Sequence, residues 1–133
     1  MSAYSDIPSL VASGDCTAYR FVRVSGRNQG ITCDAITNIA VGVADGSSKS
    51  FPATGVTNLH AAAGDPINLQ GGNVVLVEAA AAITAGARVA PSANGRAQVA
   101  VATQFPFGIA LENAGGAGEI IRVYKMPMTV IAA

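Results

Sequence analysis

Short runs of alternating apolar and polar residues, separated by glycine, proline and Asn-Gly or Asp-Gly pairs, recur along the chain. The clearest run is AYRFVRVSG (18–26), and the last is EIIRVYKMP (119–127). INLQGGNVVLVEA (67–79) predicts two strands around Gly71-Gly72. Such alternation between turn residues is typical of half-buried β-strands. Further strands are predicted within 30–46, 87–91, 96–103 and 105–113.

The run EAAAAITAGARVAPSANGRAQVAVA (78–102) holds the one stretch with a helix-favouring composition. Only seven residues separate Glu78 from Gly86, and an isolated helix of that length is marginal because its nucleation is costly. Thr84-Ala85-Gly86 predicts a turn, and Asn94-Gly95 supplies the residues with positive φ that a tight hairpin needs. We therefore expect the alanines at 79–82 to form a strand end or a single helical turn, followed by a hairpin.

Composition supports an all-β fold. Val and Ile together account for 24 residues and Leu for 5, and β-branched side chains suit pleated surfaces better than helices. We expect a single β domain at 15–133, either a small β-barrel or a β-sandwich with short hairpins. Residues 1–14 are expected to form an extended N-terminal arm. Residues 47–66, rich in Ser, Gly, Pro and Thr, predict a long loop with one short strand.

The N-terminal arm carries four sizeable apolar residues. These are Tyr4, Ile7, Leu10 and Val11. Their exposure on a free arm would make it a docking segment for a partner or for another subunit. The alternative is that the arm packs along its own domain.

A weak internal repeat relates residues 24–45 to residues 89–112. Each segment predicts a strand, a glycine turn, a second strand, and then an apolar-Gly-apolar-Ala stretch that ends in an acidic residue. Gly42 and Gly108 occupy the same place in both. Two interpretations stay open: two related half-barrels, or the similarity of hairpins built from few residue types.

The charge and hydropathy of the sequence limit the classes of partner that we expect the protein to bind. Charged residues make up 12% of the chain and the net charge is zero, whereas nucleic-acid binders carry a basic excess. No apolar run reaches 18 residues, and MSAYSDIPSL lacks the basic and apolar regions of a secretory signal. We therefore expect neither a nucleic-acid nor a membrane partner. A sparsely charged surface favours coverage by other subunits.

No set of residues predicts catalysis, a metal site or a cofactor. His60 is the single histidine, and Cys16 and Cys33 have no second ligand pair at short spacing, so a zinc site is not indicated. We expect both cysteines to be buried thiols, with a disulfide as the alternative, and His60 to be exposed or capping. The chain has no G-x-S-x-G motif and no Walker lysine. We therefore predict that the protein is not an enzyme.

Two segments carry a family resemblance. AAAITAGARVAPSANGRAQVA, followed by GIALENAGGAGEIIRV, resembles the small head decoration, or capsid cement, proteins of tailed bacteriophages. The resemblance covers roughly residues 74–124, with looser agreement over 18–45. The matching residues are Ile83, Thr84, Gly86, Val89, Asn94 and Gly95 in the first segment, and Gly108, Ala110, Glu112, Gly118 and Glu119 in the second.

The resemblance implies a β-barrel or β-sandwich that binds the outside of a phage capsid and stabilises it. It also implies contact with the major capsid protein, a homo-oligomer with a trimer favoured, and a place on the virion exterior after synthesis in the host bacterial cytoplasm. Residues 47–72 depart from the family pattern, so the oligomeric state is the expectation that the resemblance supports least.

Two other functions remain open. One is a non-enzymatic binding module of the β-clip type for a sugar or peptide, which would be a monomer with a concave site. The other is a small hydrolase that uses His60. The sedimentation of the isolated chain separates the first alternative from a trimeric cement protein, and replacement of His60 tests the second.

Overall fold

The computed structural model describes residues 10–46 and 59–126, which form twelve short β-strands and no helix. The strands are β1 (Leu10–Ala12), β2 (Cys16–Thr17), β3 (Phe21–Gly26), β4 (Gln29–Thr32), β5 (Gly42–Val43), β6 (Leu59–Ala61), β7 (Pro66–Ile67), β8 (Val74–Glu78), β9 (Arg88–Pro91), β10 (Ala97–Val99), β11 (Gly108–Ala110) and β12 (Ile120–Lys125). The all-β prediction is confirmed. The strand expected within 47–66 is β6, and residues 47–58 lie outside the described part.

Two five-stranded sheets and one two-stranded sheet make up the fold. The first sheet has the order β5-β3-β4-β1-β7, and the second has the order β10-β9-β11-β12-β8. β2 pairs with β6 in the small sheet. All of these pairings are antiparallel except that of β1 with β4, which is parallel.

The two segments of the internal repeat adopt the same strand arrangement. In the first sheet β3 lies between β4 and β5, and in the second sheet β9 lies between β10 and β11. Gly42 pairs with Val22 in β3, and Gly108 pairs with Val89 in β9. This correspondence favours two related halves over the similarity of unrelated hairpins.

The first half, built around the first sheet, and the second half, built around the second sheet, share a core. Phe21 and Val43 of the first sheet join a cluster of buried residues that consists mostly of the second sheet, and Phe21 meets Phe107 edge to face, with 4.9 Å between ring centroids. Val22 points to the opposite face, into a smaller core with β1, β2, β6 and β7. β3 is therefore buried on both faces at its start, which explains why its sequence alternates imperfectly.

Main-chain hydrogen bonds at the start of β3, and just before it, join the first half to the second. The Phe21 N–H donates to the Gly95 carbonyl at 2.8 Å, and the Glu78 N–H donates to the Tyr19 carbonyl at 2.8 Å. Tyr19 has a φ of 60°, which is uncommon for a residue other than glycine. The two halves are thus held together by backbone bonds as well as by the shared core.

The segment that favoured helix by composition forms no helix: Ala79 ends the strand as a bridge residue, and the chain bends at Ala80 and Ala81. Ala79 bridges to Ala97, Ile83 bridges to Ala114, and Gly86 turns with a φ of 89°. The hairpin after β9 forms as expected, but only Gly95 has a positive φ, so the prediction of positive φ at Asn94 was wrong. The Ser92 hydroxyl donates to Asn94 Oδ1 at 2.6 Å, so a side-chain hydrogen bond stabilises this turn.

Candidate functional site

The four predicted contact residues divide between described and undescribed parts of the chain. Tyr4 and Ile7 lie outside the described residues. Leu10 is buried in β1, where its side chain and that of Ile67 lie over Gly30. Val11 is 41% exposed on the other face of the strand. Leu10 therefore belongs to the protein's own core, and Val11 is the one described member with an accessible surface.

β1 is an interior strand of the first sheet. It pairs with β4 on one side and with β7 on the other. The last residues of the expected arm are thus part of the folded domain, and a test of the arm has to spare them.

The outer face of the second sheet exposes a continuous apolar surface. In β8 and β12 the buried side chains alternate with exposed ones, and the register places Val74 opposite Tyr124 and Leu76 opposite Arg122. Tyr124 is in turn opposite Ile109 of β11. We call this surface the apolar face; its members are Val74, Leu76, Ile109, Leu111, Ile120 and Tyr124.

The charge at the centre of the apolar face, that of Arg122, is paired with Glu112, whereas the exposed Arg88 lies opposite Ile109 at the edge of the face. The Arg122 Nε donates to Glu112 Oε2 at 3.0 Å, and the Arg122 N–H donates to the same oxygen at 2.9 Å. These bonds lower the pKa of the Glu112 carboxyl. The face therefore presents apolar side chains around a paired charge. Contiguous apolar surfaces of this kind mark interaction sites in soluble proteins.

A cleft of about 350 Å³ opens beside the core, on the side of β8 and β12 opposite the apolar face. Its apolar walls come from Ile39, Phe105, Phe107 and Met126, and its polar groups are those of Asn73 and Lys125. A second hollow of about 170 Å³ lies beside it and shares Asn73, Phe107 and Lys125. Lys125 therefore stands between the two hollows, with its Nζ 5.9 Å from the centroid of the Phe107 ring.

Glu78 forms the most enclosed charged cluster among the described residues. Its carboxylate lies 3.4 Å from the Arg20 Nε and 3.0 Å from the Arg96 Nε, and its side chain is 14% exposed. The Arg20 bond has hydrogen-bond geometry, whereas the Arg96 Nε contact is an ion pair without it. Arg20 belongs to the first half and Arg96 to the second, so the cluster stabilises their junction.

The remaining ion pair of the first sheet is peripheral. Arg23 binds Asp34 through two nitrogen–oxygen contacts of 3.2 and 3.1 Å, and this hydrogen bonding lowers the pKa of the Asp34 carboxyl. Arg20 and Arg23 therefore have separate acidic partners.

His60 is buried, so the prediction of an exposed or capping residue was wrong. Its Nδ1 lies 2.9 Å from the Gly46 carbonyl oxygen, and its Nε2 accepts the Asn68 N–H at 2.9 Å. Both ring nitrogens are thus engaged by main-chain groups of neighbouring segments. The residue supports the loop around β6 and does not have the geometry of a solvent-facing catalytic base.

Both cysteines are free and buried, as expected, and no disulfide joins them. Burial raises the pKa of the Cys16 thiol and raises that of Cys33 to about 12. We expect neither thiol of the native protein to react rapidly with Ellman's reagent at pH 8, because the thiolate is the reactive form. Full reaction should follow unfolding in guanidinium chloride, and fast reaction of either thiol before unfolding would contradict the prediction.

The described residues contain no group of three or more His, Cys, Asp or Glu side chains suited to a metal ion. Within residues 10–46 and 59–126, no helix has the length and apolarity that crossing a membrane requires.

A family model described as phage cement protein matches residues 9–125 of the 133-residue chain. The chain belongs to this phage cement protein family. No curated protein shows significant similarity to it. Membership implies a structural, non-enzymatic role in association with a phage capsid, as a component of the virion. The matched range begins just before β1 and ends with β12, so it covers both halves of this cement protein.

Sequence reasoning missed the apolar face and the cleft. One signal was present for the face, because VVLV in β8 is apolar at positions that point to both sides of the sheet. Such a strand is expected to be covered on both faces. The cleft had no comparable signal, since its residues come from four separate segments.

Proposed function

We propose that this cement protein binds the outer surface of a tailed-phage capsid through the major capsid protein and stabilises the shell. It does so as a homo-oligomer, with a trimer favoured, on the virion exterior after synthesis in the host bacterial cytoplasm. The observation that carries the proposal is the exposed apolar face on a fold whose sheets are joined by a shared core and an enclosed charged cluster. Family membership supplies the association with a capsid.

The apolar face suits repeated, modest contacts. Its central Arg122 needs no counter-charge from a partner, because it is already paired with Glu112. Many copies acting on one lattice make weak individual contacts effective together. A pre-organised sheet loses little conformational entropy when it docks.

The test is addition of purified protein to undecorated capsids of its own phage, before and after maturation. We expect co-sedimentation with the shell and a higher temperature of capsid disruption, while sedimentation of the free protein gives its oligomeric state. Failure to bind capsids in every maturation state would refute the capsid-surface function.

Variants locate the contact within the same experiment. Val74→Glu, opposite Tyr124, places a charge on the apolar face and should weaken binding at least tenfold, since an unpaired charge is costly to bury. Val24→Glu, at an exposed position of the other sheet, is the matched control and should bind normally. Deletion of residues 2–9 tests the arm while keeping β1, and normal binding by this variant would remove Tyr4 and Ile7 from the contact.

The cleft is the observation that favours the alternative, a β-clip-type binding module for a sugar or peptide. Its walls are apolar and its polar groups few, which is typical of small ligand sites. A monomer in solution that ignores capsids of every maturation state but binds a ligand in the cleft would favour this alternative.

A further inference from the structure

The cleft lies where the two halves of the cement protein meet. Ile39 precedes β5 of the first half, whereas Phe105 and Phe107 precede β11 of the second. Ile39 is 58% exposed and Phe105 is 38% exposed, so the walls are accessible from solvent. Clefts between structural units are preferred positions for binding sites.

Lys125 gives the cleft its charge. No carboxylate lines either hollow, and within residues 10–46 and 59–126 Lys125 forms no ion pair. Its ammonium group lies over the Phe107 ring, which accommodates the charge without neutralising it. Arg27 and Arg88 likewise form no ion pair within the described residues, but Lys125 alone of the three lines the cleft.

We propose that this cleft captures a peptide segment of the shell protein in which an apolar side chain is followed by Asp or Glu. The apolar side chain enters the larger hollow between Ile39 and Phe105, and the carboxylate meets Lys125, with the Asn73 side chain beside it. Only the identity of the partner as shell protein rests on the proposed function; the preference for an apolar–acidic pair rests on the cleft itself.

The two adjoining hollows support a peptide over a compact small molecule. The larger hollow has apolar walls, and the smaller one shares Asn73, Phe107 and Lys125 with it. Two neighbouring side chains of an extended peptide can therefore occupy the apolar hollow and reach Lys125 together. Lys125 supplies the charge selectivity for the second side chain.

The probe is acetyl-Gly-Phe-Asp-Gly-amide, compared with the same peptide carrying Asn or Lys in place of Asp. Binding is followed at millimolar peptide by the amide signals of Asn73, Phe107 and Lys125 in ¹H–¹⁵N NMR spectra. We expect the Asp peptide to bind about fivefold more tightly than the Asn peptide, the upper end for an exposed ion pair. The Lys peptide should bind most weakly.

Two variants separate charge from packing. Lys125→Met keeps the apolar stem and should abolish the preference for Asp over Asn, and Lys125→Glu should reverse the preference towards the Lys peptide. Arg27→Met removes an exposed positive charge at the β3–β4 turn, away from the cleft, and should leave the preference unchanged. Equal binding of all three peptides by the unaltered protein would overturn the proposal.

The capsid assay distinguishes this proposal from the capsid-surface function. If Lys125→Glu fails to bind capsids that the unaltered protein binds, the result supports both the cleft proposal and the capsid-surface function. If the unaltered protein binds capsids but no cleft signal responds to the Asp peptide, the cleft proposal is overturned alone. If the cleft selects the Asp peptide but the protein does not bind capsids, the identification of the partner as shell protein is overturned and the preference for an apolar–acidic pair stands. Peptide binding that requires removal of residues 127–133 would assign the cleft to the chain's own C-terminal residues and overturn the proposal.

Discussion

Replacing Gly108 with alanine should lower the free energy of unfolding by about 3 kcal/mol, the upper range for forced overpacking. An added Cβ would overlap the carbonyl oxygen of Tyr124 in β12 and would lie 2.9 Å from its carbonyl carbon. That backbone cannot retreat easily, because β12 is held between β11 and β8. Urea denaturation followed by circular dichroism, at a fixed protein concentration, measures the change.

Gly42→Ala is the matched control because Gly42 holds the equivalent place in the first half. Its added Cβ would meet the end of the Leu69 side chain at 3.0 Å, and a leucine side chain can adjust where a backbone carbonyl cannot. We expect a loss of about 1 kcal/mol. Equal losses in the two variants would show that close backbone approach is not the reason for glycine at 108.

Glu78→Gln should lower the free energy of unfolding by about 2 kcal/mol. The substitution keeps the size of the side chain but leaves the charges of Arg20 and Arg96 uncompensated at the junction of the halves. Removing one partner of a fully buried ion pair costs about 3–5 kcal/mol. The smaller value here reflects arginine side chains that are 20% and 27% exposed and can turn towards water.

Glu112→Gln provides the comparison for Glu78→Gln. Glu112 also binds an arginine, but its side chain is 41% exposed and that of Arg122 is 58% exposed. Solvent screens such pairs, so the unfolding midpoint in urea should change little. If the two variants lose the same stability, the enclosed cluster does not contribute to holding the halves together.

The local sequence pattern was sufficient to predict the positions of the long strands and their turns. β3, β8 and β12 carry five or six residues each, and runs of β-branched and aromatic residues between turn residues identify them. β2, β6 and β7 have two or three residues and exist because distant segments pair, as Cys16 does with Ala61. A strand that short has no periodicity of its own, so only the fold reveals it.

The candidate site depended more strongly on long-range contacts. Val75 and Val77 are buried while Val74 and Leu76 are exposed, yet the four side chains are similarly apolar and the sequence does not say which pair faces water. His60 was placed on the surface because its neighbours are small and loop-forming, whereas Gly46 and Asn68 hold it inside. The role proposed for Lys125 depends on its position beside Phe107 and Asn73, which are far from it in sequence.

The side-chain amide of Gln70 covers part of the exposed edge of the second sheet. Its Oε1 accepts the Leu76 N–H at 2.8 Å, and its Nε2 donates to the Leu76 carbonyl at 2.6 Å, on the side of β8 turned away from β12. Glu78, two residues on, donates its N–H to Tyr19. An outermost strand with unoccupied donors and acceptors invites a foreign strand to add to it and to grow into fibres. Gln70 occupies those groups at Leu76, so β8 lacks that template for misassembly.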